Sequence, residues 1–288
     1  QYGAWGGFDL LAANYDFEDA SLPWATALEN MVLPSVLFDL DGLRVGVIGL
    51  GNLSSLNSIY DESNSMGIRV LEAEDVIPAE AAKLRSQGAD IRVVQADFRN
   101  AANATHVVHE AIAAFGHVDI LVNNAGRTLN KPFADCTEQD WDDVMSVNIK
   151  SMFMACQTAL PSMLEHGWGR IINISSVQGV VAPDFRNYDN TEMTTPPDYQ
   201  FHKHGVIGLT KYLAAWAGPS GVRVNAISPG GYSPDLKEPF ISQYCRRVFL
   251  GRMGEYDDIK GVVVLSLIHI SAPTRRYAIS YAVFCLKK

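Results

Sequence analysis

Six short apolar runs, Arg44–Ile48, Ile68–Leu71, Ile91–Gln95, Ile120–Asn123, Arg170–Ile174 and Val222–Ile227, recur along the chain with helix-patterned stretches between them. This alternation calls for a parallel sheet with helices on both faces, because parallel neighbours need crossovers long enough to hold a helix. Residues Asn103–Phe115 and Glu138–Glu165 carry the long helices, the second opening at Thr137 with Asp140 as its capping partner. Gly205–Trp216 continues a helix that also bears Tyr199 and Lys203. At 288 residues and 48% hydrophobic content the chain can bury one substantial core, which predicts a single domain. The expected fold class is α/β, a doubly wound parallel sheet.

In such a sheet, ligands bind beyond the carboxyl ends of the strands. Asn123-Asn124-Ala125-Gly126 follows one expected strand, Ser176 ends the next, and Pro229-Gly230 follows a third, so all three project to one edge. Asn and Gly also make ordinary turns. The position of Asn123, Ala125 and Gly126 between a strand and a long helix favours a cofactor role.

Tyr199 and Lys203 lie four apart on a helix and therefore share a face. An ammonium beside a phenol favours the ionised phenol, which can then exchange a proton with a substrate oxygen while hydride moves to or from carbon. Ser176 is placed to hydrogen-bond that oxygen, Asn148 to hold a water that carries the proton out, and Lys203 to reach the cofactor ribose.

These residues, in this order, resemble the short-chain dehydrogenase/reductase family. The resemblance runs from about Leu37 to Val264. It rests on Asp119-Ile-Leu-Val-Asn-Asn-Ala-Gly126, Val147-Asn148, Gly169-Arg-Ile-Ile-Asn-Ile-Ser-Ser176, Tyr199 to Lys203, and Val222-Arg-Val-Asn-Ala-Ile-Ser-Pro-Gly230. It implies a Rossmann-like fold, an NAD(P)-dependent interconversion of alcohol and ketone, and a homo-oligomer. The family's Ser, Tyr, Lys and Asn roles map onto Ser176, Tyr199, Lys203 and Asn148.

The phosphate-binding turn departs from the family pattern. Gly49-Leu-Gly51-Asn-Leu-Ser-Ser55 keeps Gly49 and Gly51 but has Leu53 and Ser55 about where two more glycines are usual. Glu74, near the end of the second expected strand, is placed to accept from the adenosine ribose, with Glu72 and Asp75 as competitors. Its charge would repel a 2′-phosphate, so NAD is expected as cofactor, with NADP the alternative. Asp97 matches a family Asp that contacts adenine, and a strand-ending turn is its other reading.

Between Ser176 and Tyr199 lies a polar loop, Asp184-Phe-Arg-Asn-Tyr-Asp-Asn-Thr-Glu192. Arg186 could hold a substrate carboxylate in bidentate fashion or pair with Asp184, Asp189 or Glu192. This loop and the Pro-Gly-Gly-Tyr-Ser-Pro stretch at Pro229 resemble the gluconate 5-dehydrogenase branch, which implies a sugar acid, polyol or related hydroxy compound. The rival expectation is a non-catalytic binding or scaffold module whose altered glycine turn has weakened cofactor affinity.

The net charge of −9, with no basic cluster, argues against a nucleic-acid partner. No apolar run is long enough for a bilayer and the first residues lack a secretion signal, which predicts a soluble, cytoplasmic protein with no membrane partner. The cysteines Cys136, Cys156, Cys245 and Cys285 show no metal-ligand spacing, and His202 and His204 lie two apart on a helix and cannot face one ligand, so no metal is expected.

Both ends look foreign to the fold. Leu265–Ser271 and Ile279–Lys288 look like the conceptual translation of a sequencing-library adapter, so residues 265–288 are expected to be a tail without function. The last native strand would then be missing, its edge filled by Leu265–Ile270 only by accident, and the oligomer contact impaired. Residues 1–30 are expected to be an N-terminal extension before Met31, leaving 31–264 as the oxidoreductase domain.

Overall fold

The computed structural model describes residues 91–129, 131–231 and 236–254 without a break, with the strands named below, Tyr256–Ile259 and a few single positions. The expected strand Ile68–Leu71, the turn with Gly49 and Gly51, Glu74, and residues 1–30 lie outside the described residues.

One sheet organises the molecule. Its strands are β1 (Leu37–Leu40), β2 (Leu43–Ile48), β3 (Ile91–Arg92), β4 (Ile120–Asn123), β5 (Gly169–Ile174), β6 (Val222–Ser228) and β7 (Val283–Cys285), in the order β3-β1-β2-β4-β5-β6-β7. From β2 to β7 every neighbouring pair is parallel. All of β4 is buried, as are all but one residue each of β5 and β6. Successive side chains of a strand point to opposite faces, so unbroken burial means that both faces are covered, as in a doubly wound α/β sheet.

Two edges differ from expectation. β1 pairs antiparallel with β2, Leu40 opposite Leu43, and β3 pairs antiparallel with β1. The residues between β1 and β2 are Asp41-Gly42, a step that suits a two-residue hairpin, whereas a parallel strand there would need a crossover. The expected Ile91–Gln95 strand is confined to Ile91–Arg92. At the other edge Val283–Cys285 pairs beside β6, in register with Ala226–Ser228, and Leu265–Ile270, save Ser266, lies outside the described residues.

The helices are α1 (Ala102–Phe115), α2 (Glu138–Met145), α3 (Ser151–Glu165), α4 (Pro197–Ala217) and α5 (Phe240–Cys245). Thr137 opens α2 with a reciprocal capping box: Asp140 N donates to Thr137 Oγ1 at 3.1 Å, and Thr137 N donates to Asp140 Oδ2 at 3.0 Å. The single helix expected over Glu138–Glu165 is instead interrupted by a π-helical segment, Ser146–Lys150, which carries Asn148. One apolar cluster joins Val107, Val108 and Ala111 of α1, Ala155, Ala159 and Met163 of α3, and Val206, Leu213 and Ala217 of α4 to Leu121, Ile171 and Val224 of the sheet. No helix among the described residues is long and apolar enough to cross a membrane.

A buried polar thread fastens the sheet to α4. Asn123 Nδ2 donates to Asn173 Oδ1 at 2.8 Å, Asn173 Nδ2 donates to Thr210 Oγ1 at 2.9 Å, and Thr210 Oγ1 donates to Val206 O at 2.7 Å. Such bonds, shielded from water, are costly to leave unmade and so fix how strands and helix meet.

Candidate active site

The ends of β5 and β6 are tied to each other just where the site residues begin. Ser175 N donates to Ile227 O and Val177 N donates to Pro229 O, both at 2.7 Å. Ser176 itself is extended and caps the one-turn helix Val177–Gly179, its Oγ accepting from Gln178 N at 3.2 Å. The same turn is locked to α4, because Ser175 Oγ donates to Lys203 O at 2.8 Å. A side chain on Gly179 would lie 2.6 Å from that carbonyl oxygen, so only glycine permits the approach.

Helix α4 starts at Pro197, whose missing N–H costs nothing in the first turn. Tyr199 and Lys203 share its next face, with Lys203 Nζ 5.6 Å from the Tyr199 ring centroid, within cation–π range. Lys203 Nζ donates to Ile174 O at 3.1 Å, which holds the ammonium between β5 and the phenol. Desolvation pushes the Lys203 amine down to about 8. It is still a cation near neutral pH, but one close to giving up its proton.

Asn148 reaches the turn after β4. Arg127 N donates to Asn148 Oδ1 and Asn148 Nδ2 donates to Arg127 O, both at 2.6 Å. Gly126 lies against it, a Cβ there falling 3.5 Å from Asn148 Oδ1. Asn148 Nδ2 also stands 3.2 Å from each ring nitrogen of His202. A π-helical turn inside a helix often marks a functional position, and here it directs an amide toward the strand ends.

Ser176, Tyr199, Lys203 and Asn148 thus gather at the carboxyl ends of β4, β5 and β6, with half-buried Ala125, Gly126 and Gly230 beside them and Pro229 buried below. Other expectations need correcting. The Asn123 side chain is not open to a cofactor, being 3% exposed with its Nδ2 spent on Asn173 and Cys156. Arg186 does not reach toward the site either. Its Nε and Nη2 donate to Asp184 Oδ1 and Oδ2 at 2.8 and 2.6 Å, and Arg247 also pairs with Asp184. Asp97 is exposed and clasped by Arg99, which holds its carboxyl below the usual range through side-chain and backbone hydrogen bonds.

His202, set aside with His204 as a metal ligand, is 1% exposed, as is Asp198. The signal was present in the spacing. Stepping back by fours along the buried stripe Thr210, Val206 leads to His202 and then Asp198. The polar group that lines the loop was also missed: Gln178 Oε1 accepts from Thr195 Oγ1 at 3.0 Å and from Gln200 Nε2 at 2.9 Å.

Residues 58–244 match the short chain dehydrogenase family model. A 3-oxoacyl-[acyl-carrier-protein] reductase of Staphylococcus aureus is 33% identical over 224 residues, 75% of this chain and 85% of that protein. A probable galactose dehydrogenase of Rhizobium meliloti is 34% identical over 242 residues, 80% of this chain and 90% of its own length. Among solved structures, a blue fluorescent protein from a metagenomic library in complex with NADPH superposes with a TM-score of 0.62 at 30% identity, covering 75% of this chain and 83% of that one.

Proposed function

Because the chain belongs to the short-chain dehydrogenase family and is therefore an NAD(P)-dependent oxidoreductase, we propose that it interconverts a secondary alcohol and a ketone on a sugar acid, polyol or related hydroxy compound. Tyr199 is the acid/base, Ser176 the donor to the substrate oxygen, Lys203 the electrostatic partner of the phenol, and Asn148 the organiser of proton exit. The observation that carries this reading is the lock between α4 and the Ser176 turn. It brings the Lys203 ammonium beside the Tyr199 ring at the strand ends.

The residues present fit a dinucleotide. The backbone from Asn124 to Gly126 and at Gly230 is only half-buried, and the Lys203 ammonium, with one N–H on Ile174 O, keeps donors for a ribose diol. When bound, the nicotinamide supplies the hydride acceptor or donor. Lys203 stabilises the tyrosinate form, Tyr199 moves the proton at the substrate oxygen, and Ser176 holds that oxygen in reach. Gly49, Gly51 and Glu74 complete the cofactor reading, Glu74 favouring NAD, whereas the solved neighbour holds NADPH. Both cofactors therefore belong in the assay.

The substrate class is supported by the hydroxyl- and amide-rich lining, Gln178, Thr195, Gln200 and Tyr188, and by the sugar named for the Rhizobium relative. The acyl substrate named for the Staphylococcus relative is the competing class. Screening sugar acids, polyols and 3-oxoacyl thioesters by NAD(P)H absorbance, with Tyr199→Phe as control, decides between them. Turnover abolished by Tyr199→Phe with NADH fluorescence binding retained supports the reading; equal loss of both makes Tyr199 structural. A homo-oligomer is part of the same reading. Phe201, Tyr212 and Trp216, exposed along α4, are the face a second copy would cover, and sedimentation of the full chain tests it.

A further inference from the structure

Beside the Tyr199 and Lys203 face, α4 carries a buried polar pair that the proposed chemistry does not use. Asp198 and His202 are each 1% exposed and lie four apart. Both carboxylate oxygens of Asp198 are buried without a hydrogen-bond partner, and His202 Nδ1 stands 4.0 Å from Oδ2. The His202 ring meets the Tyr199 ring edge-on, 5.1 Å between centroids and 82° between planes. Both ring nitrogens lie 3.2 Å from Asn148 Nδ2. A carboxylate left this bare in a protein interior is expensive, which makes it a feature to be accounted for.

We propose that Asp198 and His202 form a buried brace whose tautomer positions Asn148 and the Tyr199 ring for proton transfer. The proposal rests on the oxidoreductase reading above. An amide nitrogen can only donate, so the ring nitrogen that serves Asn148 must accept. With Nδ1 toward Asp198, the neutral ring carries its proton on Nδ1 and offers the Nε2 lone pair to Asn148. An ionised Asp198 attracts that N–H and selects this tautomer. A protonated Asp198 can instead donate to Nδ1, which moves the ring proton to Nε2 and sets two donors face to face.

The surroundings allow this exchange. Burial, the largest effect, and Lys203, next along α4, push His202 down to about 3, against the backbone carbonyl of Asp198, which itself favours a ring N–H turned toward Asp198. Burial pushes Asp198 up to about 6; its own backbone N–H acts against this, Asp140 of α2 acts with it, and Arg127 after β4 acts against it. Cys136, before α2, faces the same carboxylate and is itself raised, first by burial and then by Asp198. The ring therefore stays neutral while the carboxyl group changes charge, and the brace changes tautomer without gaining a cation. Asp198 and His202 act through Asn148 and Tyr199 and are positioning residues.

The test is nitrogen NMR of the histidine rings in the full chain, His202 being identified by the signal lost in His202→Gln, together with kcat against pH. At about pH 8 we expect the Nδ1–H tautomer, at about pH 5 the Nε2–H tautomer, and in Asp198→Asn the first form throughout. The wild-type kcat falls below about pH 6 with KM little changed, and this acid limb is missing in Asp198→Asn. His202→Ala lowers kcat about tenfold without moving the cofactor KM, and His202→Gln, whose carbonyl can accept from Asn148, recovers most of it. An imidazolium forming at His202 near neutral pH, an Nε2–H ring in alkali, or an acid limb unchanged in Asp198→Asn overturns the brace. No turnover in the wild type, with the tautomer change intact, sinks the oxidoreductase reading and leaves the brace standing.

Discussion

One methyl group at Gly179 tests whether the crossing of the Ser176 turn over α4 sets the site. In Gly179→Ala the new Cβ would lie 2.5 Å from Ser175 Oγ, 2.6 Å from Lys203 O and 2.9 Å from Lys203 C. Carbon prefers neighbours at roughly 3.5 Å or more, so turn and helix must part by about 1 Å. Two of the three atoms met are backbone and cannot rotate away. The Ser175 to Lys203 hydrogen bond is strained by the same movement. Overpacking of this kind costs about 1–3 kcal/mol and the weakened hydrogen bond about 1 kcal/mol more. For a chain this long each kcal/mol is worth about 2–4 °C, which places the fall in Tm at roughly 4–16 °C.

Catalysis should suffer more than stability. A displacement of about 1 Å between Ser176 and Tyr199 spoils the approach to the substrate oxygen and is worth about a hundredfold in kcat. Thermal unfolding by circular dichroism and steady-state rates with NAD(P)H measure the two effects. Gly208→Ala in α4 is the control, because its Cβ would meet nothing within 4 Å and at this exposed position should stabilise the helix by about 0.5–1 kcal/mol. A Gly179→Ala protein that melts with the wild type and turns over at full speed would refute the crossing as the source of the site's geometry.

Three further outcomes are expected. The raised Asp198 carboxyl holds its proton longer in the folded than in the unfolded chain, so its contribution to stability falls as pH rises from the ordinary carboxylate value of 3.8 through about 6. Asp198→Asn should therefore be more stable than wild type near pH 8, by on the order of 2 kcal/mol, with the gap closing in acid; denaturant titrations at both ends of the range measure it. Arg186→Ala should leave substrate KM within about twofold, since the guanidinium is committed to Asp184; a large rise would restore it as a substrate contact. Leu53→Gly with Ser55→Gly, restoring the family's small residues, should tighten NADH binding about tenfold by fluorescence with little effect on kcat.

The centre of the sheet was legible because its residues obey one demand at a time. β4, β5 and β6 are buried on both faces, so their apolar runs are unbroken, and Thr137 with Asp140 announces a helix start by local hydrogen bonding alone. β1 was missed because a short run beside Asp41-Gly42 is defined by pairing with a neighbour, not by its own pattern. Asn123 was misread for a related reason: Asn in a turn motif looks like ligand chemistry, whereas its partner Asn173 sits 50 residues away in sequence and appears only when β4 and β5 pair. Arg186 marks the same limit. A charged side chain in a loop near the site invites a ligand reading, and a carboxylate two residues back decides otherwise.

What joins the proposed catalytic set is independent of both edges of the sheet. The thread Asn123, Asn173, Thr210 and the bonds from Ser175 and Val177 to the end of β6 lie wholly within β4, β5, β6 and α4. These elements fall inside the matched span of residues 58–244, whereas the altered glycine turn precedes it. Positioning of the proposed proton donor is therefore built apart from the glycine turn, even though the proposed ribose contact of Lys203 shares its core. On that reading the turn contributes binding energy from the pyrophosphate end, while the groups proposed to act on the substrate oxygen owe their geometry to the sheet and helix. A weakened glycine turn would then raise the cofactor concentration needed for saturation, and leave the rate at saturation to Ser176, Tyr199, Lys203 and Asn148.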